Sequence, residues 1–403
     1  MINDKASLVQ IPSGYKSGTL YSVVPNTADG DFTVTGDPQG EATRVNKDGL
    51  IETVSANVPR LNYDFIDGVV QPDPHLLLEP ERTNSLTYSE DFTGSNWFIQ
   101  NSASLTPNNV VAPDGTLTAS TLQNADGTSI SGNVLQKNIT FSSDCVTSIY
   151  IKSLGSTTVA LCSRTANGTQ TFTSYNISGN EWKRFDRFIN ASSSALNQFS
   201  IGGTNGDIAV WGAQVEAGSY PTSYIPTSGS AVTRTVDKCL NAGDANLFND
   251  TEGTLFLDVY DFKSSANPEI TLSSGSASNR ITLVYYPSSN QLRFFISSNN
   301  VVQADQFVSY TYSQRNKIAL RYKQNDFKAY INGTQVFSDT SGNTPVGLSK
   351  FDFSKYDQSN GFVEGKINQA MVFNEALTDS ELETITSYRS FNQMAKALLY
   401  TIE

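Results

Sequence analysis

From Val134 onward the chain is a succession of short β-forming runs broken by turn residues: VLQKNITF, VTSIYIKS, TVALCSR, TQTFTSYNIS, WKRFDRFIN, NQFSIGG and DIAVWGAQV. Runs so short, rich in β-branched and aromatic residues and closely spaced, are what stacked antiparallel strands require. Alternation is visible in Thr147, Ile149 and Ile151 against their neighbours, which directs one face inward and leaves hydroxyl and charged groups outward. A β-sandwich follows, and a jelly roll is its simplest form.

The series ends in WGAQVEAGSYPTSYIPTSGSAVTR, Trp211 to Arg234. Ile208, Val210 and Val215 supply β-formers, whereas Gly218, Pro221 and Pro226 exclude a helix and impose an extended, turning path. Tyr220 and Tyr224 flank the first proline, so this joint has rings to pack against a neighbouring surface, unlike a Gly/Ser linker. Beyond it, from about Leu240 to Glu375, the pattern repeats in new sequence: TLFLDVYDF, RITLVYY, QLRFFISS, KIALRYK, DFKAYINGTQVF and INQAMVFNEAL. Asn332-Gly333 is the strongest hairpin signal in the chain, because both central residues of that turn need positive φ. Thr378 and Glu381 form a capping box, so a C-terminal helix is expected to start there. Its apolar stripe of Leu382, Ile385, Tyr388, Phe391, Ala395 and Leu398 must be buried against the sandwich or another subunit.

Residues 1–75 read differently. Leu8, Val9, Ile11, Phe32, Val34, Leu50, Ile51, Leu61 and Tyr63 are scattered among Gly, Pro, Asn and Asp. Below roughly 70–80 residues a lone core rarely supplies enough stability. This segment is therefore expected to order on a partner surface or between identical subunits. The expected fold class is all-β: tandem sandwiches at 76–235 and 236–403, preceded by an irregular segment at 1–75 and closed by a helix.

Charge narrows the partners. With 39 acidic against 27 basic residues the net charge is −12, which argues against a nucleic-acid groove and against anionic membranes. No run approaches the roughly 20 apolar residues a bilayer span needs, and the first residues, MINDKASLVQIPSGYK, carry no signal core. Cys145, Cys162 and Cys239 are odd in number and lie in strand-like sequence, which suits small buried hydrophobes better than a disulfide framework.

Catalytic chemistry has little to work with. His75, the only histidine, sits in what reads as a connecting segment, and the sequence holds no nucleophile elbow, phosphate loop or zinc-ligand spacing. Two carboxylates suffice for glycoside hydrolysis. Asp91, Asp114, Asp207 and Glu216 are better read as turn and solvent-face residues. For sugar binding the candidates are aromatic platforms: Trp182 and Trp211 lie in strands and read as core, while Trp97 in GSNWF lies nearer a loop and is the carbohydrate-binding candidate. No cofactor is expected. A structural calcium ion is compatible with clusters such as Asp352, Tyr356 and Asp357, or Glu79 and Glu81, but no loop has regular acidic spacing and no ligands are assigned.

Three segments, LLLEPERTNSLTYSEDF from Leu76, VVAPDGTLTASTLQ from Val110 and the joint from Trp211, together resemble the jelly-roll carbohydrate-binding-like module of bacteriophage tail and fibre proteins. EATRVNKDGLIETVSANVPRLNYD from Glu41 resembles the segment preceding such modules. Residues 253–385, with the Asn-Gly hairpin and the closing MVFNEALTDSELETI, resemble the concanavalin A-like sandwich of the laminin-G and pentraxin superfamily. The resemblance implies a non-enzymatic virion protein assembled in the host cytoplasm and exposed on the particle. It would be a head or tail fibre, a homotrimer, docked on capsid or tail proteins through residues 1–75 and adhering to host surface glycans. A spacer without sugar affinity and a polysaccharide-degrading glycosidase are the alternatives.

Overall fold

The computed structural model describes residues 2–12, 14–66, 69–123, 133–141, 143–165, 167–190, 196–262, 267–388 and 393. It is all-β, with one α-helix among the described residues, Asp379–Thr386. Two sandwiches are present.

The first is built from two five-stranded antiparallel sheets. One orders Phe98–Ile99, Asn133–Phe141, Leu196–Gly202, Thr158–Thr165 and Gln170–Asn176; the other orders Ser104–Val110, Ala119–Gln123, Ile208–Ala217, Cys145–Ser153 and Lys183–Ile189. Leu122, Ile149, Ile151, Val210 and Val215 from one sheet meet Leu135, Val159, Leu161, Phe199 and Ile201 from the other in a single core. The expected inward set is present, yet Val146 and Ser148 are also buried. The outer face of the Cys145–Ser153 strand is covered as well.

The second sandwich faces a five-stranded sheet of Val301–Ser309, Gln291–Ser298, Asn279–Tyr286, Glu269–Ser276 and Lys350–Asp352 against an eight-stranded one. The larger sheet runs Thr334–Asp339, Phe327–Ile331, Asn316–Lys323, Glu252–Tyr260, Gly365–Phe373, His75–Leu78 and Leu61–Asn62, and Ala6–Gln10 also pairs with Gly365–Phe373. Asn332 and Gly333 turn the hairpin with φ of 51° and 83°, as the Asn-Gly dipeptide requires. The capping box forms: the Glu381 amide donates to Thr378 Oγ1 at 3.3 Å and the Thr378 amide to Glu381 Oε2 at 2.9 Å. The helix lays Leu382 on the sheet's outer face beside Val9, Ala319, Tyr330 and Phe373. Phe391, Ala395 and Leu398 of the expected stripe lie outside the described residues.

Residues 1–75 correct an expectation. They find their partner inside the same chain. Leu8, Leu20, Phe32, Val34, Leu61, Leu76 and Leu78 join Leu257, Leu320, Phe294 and Val372 in one core. Tyr15–Lys16, Thr19–Leu20 and Phe32–Thr35 pair in series with Lys238–Leu240. The bridge between Ala242 and Phe351 connects that small sheet to the five-stranded one. Strands from before residue 79 and after residue 237 thus build one sandwich, and the first sandwich is inserted between them. Its entry and exit, Arg82–Asn84 and Val232–Arg234, run antiparallel as a two-stranded stalk. The physical reason the segment looked coreless is that its apolar pieces complete a core made by strands hundreds of residues downstream, Ala6–Gln10 and His75–Leu78 pairing with Gly365–Phe373 and Phe32–Thr35 with Lys238–Leu240.

Candidate functional site

The joint lies where the two sandwiches and the N-terminal segment meet. Trp211 is buried on the outer face of the first sandwich, its ring 4.5 Å from Tyr224 and 5.6 Å from Tyr150. The hairpin of Thr43–Val45 and Ile51–Thr53 closes over them: Ile51 packs into the cluster, the Ile51 amide donates to Pro113 O at 3.0 Å, and Thr43 Oγ1 to Tyr224 O at 2.6 Å. Trp211 is a packing residue, as its strand context implied, but in the seam between domains, not between sheets.

Behind the seam lies a buried ion cluster. Arg60 Nη1 donates to Glu79 Oε2 at 2.7 Å, Arg60 Nη2 to Asp237, and Arg234 Nη1 to Glu79. Ser223 Oγ donates to Glu79 Oε2 at 2.6 Å and its amide to Glu79 Oε1 at 2.8 Å. Burial would raise the Glu79 carboxyl, but the Arg234 and Arg60 guanidinia outweigh it and hold the group well below the carboxylate range. One carboxylate thereby ties the N-terminal segment, the stalk and the joint together.

Beside it opens a cavity of about 250 Å³. Arg44 of the N-terminal hairpin, Arg184 of the Lys183–Ile189 strand and Lys366 of the Gly365–Phe373 strand all line it, with Tyr150, Tyr220 and Ile51. Tyr220 OH donates to Glu364 Oε2 at 2.9 Å.

His75 sits not in a connecting segment but in the strand His75–Leu78, fully buried. The Asn62 amide faces Nε2 at 3.1 Å, the Tyr260 hydroxyl faces Nδ1 at 3.0 Å, and Tyr260 OH donates onward to Asp64, whose Oδ1 accepts from Lys366 at 2.9 Å. Asn62 can only donate there, so Nδ1 carries the proton and the imidazole is neutral. Burial first, then the Lys366 charge, lowers the His75 pKa to about 3.

The structure disposes differently of the other sequence candidates. Trp97 is corrected: it is 1 % exposed, packed edge-on to Phe92 at 5.1 Å and Phe199 at 5.9 Å, with Nε1 donating to Tyr88 O at 3.2 Å, so neither ring face is free for a sugar. Trp182 is half-buried and donates to Val111 O at 3.0 Å. Asp91 and Asp114 are turn residues, accepting from the amides of Thr93 and Thr116, each at 2.9 Å. Glu216 is not on the solvent face; it is buried and accepts from the Thr222 amide at 3.0 Å. Asp352 is buried with Oδ1 accepting from the Asn241 amide at 2.7 Å, while Asp357 accepts from Ser359 on the surface. The three cysteines are buried and form no disulfide.

Sequence reading missed one surface. On the outer face of the five-stranded sheet, Tyr286, Arg293, Phe295 and Phe307 stand on neighbouring strands, and Arg293 faces Phe307 in register. Phe307 is 41 % exposed and lies 5.3 Å from the Tyr286 ring. The Arg293 guanidinium stacks over Phe295 and Phe307 and grips Asp305 with two bonds of 2.6 and 2.7 Å. An accessible ring pair beside a fixed guanidinium and carboxylate offers an apolar platform with a polar rim. The signal was present only in part: Tyr286, Arg293 and Phe295 occupy off-core positions of RITLVYY and QLRFFISS, while Phe307 lies in VVQADQFVS, a strand that polar residues disguise.

No curated protein matches the chain. Among solved structures it is similar to the NanB sialidase of Streptococcus pneumoniae, at 17% identity over 35% of this chain and 24% of the sialidase, with a TM-score of 0.31. It is similar also to the CBM40 of a Ruminococcus gnavus IT-sialidase, at 15% identity over 37% of this chain and 94% of that one, with a TM-score of 0.30. A third is domain 4 of AbnA, an extracellular arabinanase from Geobacillus stearothermophilus, at 13% identity over 42% and 84%, with a TM-score of 0.31. The chain spans about a quarter of the sialidase it matches. Residues 239–383, within the second sandwich, match the family model of the Concanavalin A-like lectin/glucanases superfamily, so this segment is concanavalin A-like.

Proposed function

We propose that this chain is a non-catalytic structural protein of a bacteriophage particle whose concanavalin A-like domain adheres to host surface glycans. The observation that carries the adhesive part is the ring pair of Tyr286 and Phe307 with Arg293 and Asp305, exposed on the very sandwich that matches the lectin/glucanase model. The phage assignment rests on the likeness of the segments from Glu41, Leu76, Val110 and Trp211 to virion modules. A single shallow platform binds weakly, and several copies in a trimeric fibre raise its working affinity without further contacts.

A glycan array probed with the full chain tests this. Binding should appear, fall about three- to tenfold in Phe307→Ala, as loss of one stacking ring implies, and leave the melting temperature near wild type because Phe307 is exposed. Absence of binding on the whole array would favour the spacer reading. Shortening of a bound polysaccharide during incubation would favour the glycosidase. Sedimentation of the purified chain checks the trimer.

A further inference from the structure

We propose that the cavity at the joint is a binding site for a small carboxylate ligand of about monosaccharide size, which clamps the inserted sandwich to the concanavalin A-like domain. The inference is independent of glycan adhesion at the sheet face. The cavity's walls come from three separate parts of the chain, each contributing one cation: Arg44, Arg184 and Lys366. Two of these are already matched, Arg44 by Glu52 at 2.8 Å and Lys366 by Asp64 at 2.9 Å.

Arg184 is different. It donates to Thr222 O and, at 2.9 Å, to Ser148 Oγ, both neutral acceptors, while its plane lies over the Tyr150 ring at 5.4 Å. Among the described residues its buried Nε has no hydrogen-bond partner. Of the acidic residues in the wall, Glu79 is paired with Arg60 and Arg234, Asp261 lies 3.7 Å from Lys366, and Glu364 accepts from the Tyr220 hydroxyl, while the neighbouring Glu216 accepts from Thr222; none of them pairs with Arg184 among the described ion pairs. A guanidinium held rigid by stacking and answered only by neutral oxygens is a carboxylate receptor, since charge-assisted forks are roughly twice as strong as neutral bonds. The remaining wall supplies an apolar side through Ile51 and Val45 and a phenol through Tyr220. The volume of about 250 Å³ equals that of several waters at about 30 Å³ each. A ligand filling it touches both sandwiches and the N-terminal hairpin at once.

The test is calorimetry and thermal shift on the full chain with D-glucuronate, citrate and D-glucose at matched ionic strength. Saturable binding of glucuronate and citrate, absent for glucose, is the expected result; glucuronate alone would identify an acidic sugar as the source, and citrate alone a non-sugar carboxylate. Arg184→Gln should weaken binding at least about tenfold, as loss of a charged fork implies. Val45→Phe, which fills the cavity without touching a charge, should abolish it, and this variant decides the matter if the first fails to fold. No binding by either carboxylate, equal binding of glucose, or binding retained in both variants would overturn the proposal.

Discussion

Glu79 carries the junction: two guanidinia, one hydroxyl and one amide converge on its carboxylate, and Asp237 closes the group by accepting from Arg60 and from the Glu79 amide at 2.8 Å. Removing one member of a buried ion group leaves its partners charged and unpaired, which costs about 3–5 kcal/mol. Glu79→Ala should lose that much in urea denaturation. Trp97→Ala should lose about 3–5 kcal/mol as well, yet leave binding on a glycan array unchanged, because its ring is enclosed by Phe92 and Phe199. His75 sets an acid limit. Neutral in the folded chain with a pKa near 3, it takes its proton only on unfolding, from its ordinary 6.5 downward. Between those values the unfolded chain binds more protons, so stability falls as pH falls, by about 2 kcal/mol at pH 5. Asp64 and Glu79, both held below their usual range, add further loss in stronger acid. Since His75 is the chain's only histidine, His75→Gln should flatten the melting temperature between pH 7 and 5.

At the scale of elements, local signals were legible where local physics decides. The Asn-Gly turn needs positive φ and has it, and the Thr378 box satisfies amides that no other group reaches. Thr378→Ala should therefore cost about 1 kcal/mol, seen as a lower denaturation midpoint. The strands were legible from composition, but their faces only in part. Ser148 and Tyr150 point away from the first sandwich's core, where Arg184 bonds Ser148 and Tyr150 packs with Tyr224 of the joint and Ile51 of the N-terminal hairpin, a long-range event no window of sequence contains. The Tyr286 and Phe307 platform was hidden for the opposite reason: aromatic residues on both faces of a strand read as doubly buried, and only the sheet's edge position leaves Phe307 open. Trp97 misled because proximity to a loop is not exposure; the turn at Asp91 folds the indole inward.

At the scale of the whole molecule, strands from before residue 79 and after residue 237 form one sandwich, which contains the segment 239–383 that matches the concanavalin A-like model, and a second sandwich is inserted on a two-stranded stalk. Ala6 pairs with Phe373 and Leu76 with Ile367, separations that sequence reading had no means to connect. The N-terminal segment is thus an intramolecular weld, its hairpin on one sandwich and its strands in the other. Rigidity at the joint follows from that weld, and it fixes how the exposed platform is aimed. Native-state hydrogen exchange on the dilute monomer tests this most directly. Amides of 6–10 and 75–78 should exchange as slowly as those of 365–373, and with the same denaturant dependence, because they open as one cooperative unit. Fast exchange at 6–10 and 75–78, slowed only when copies associate at high concentration, would contradict the weld and restore the segment to a subunit interface.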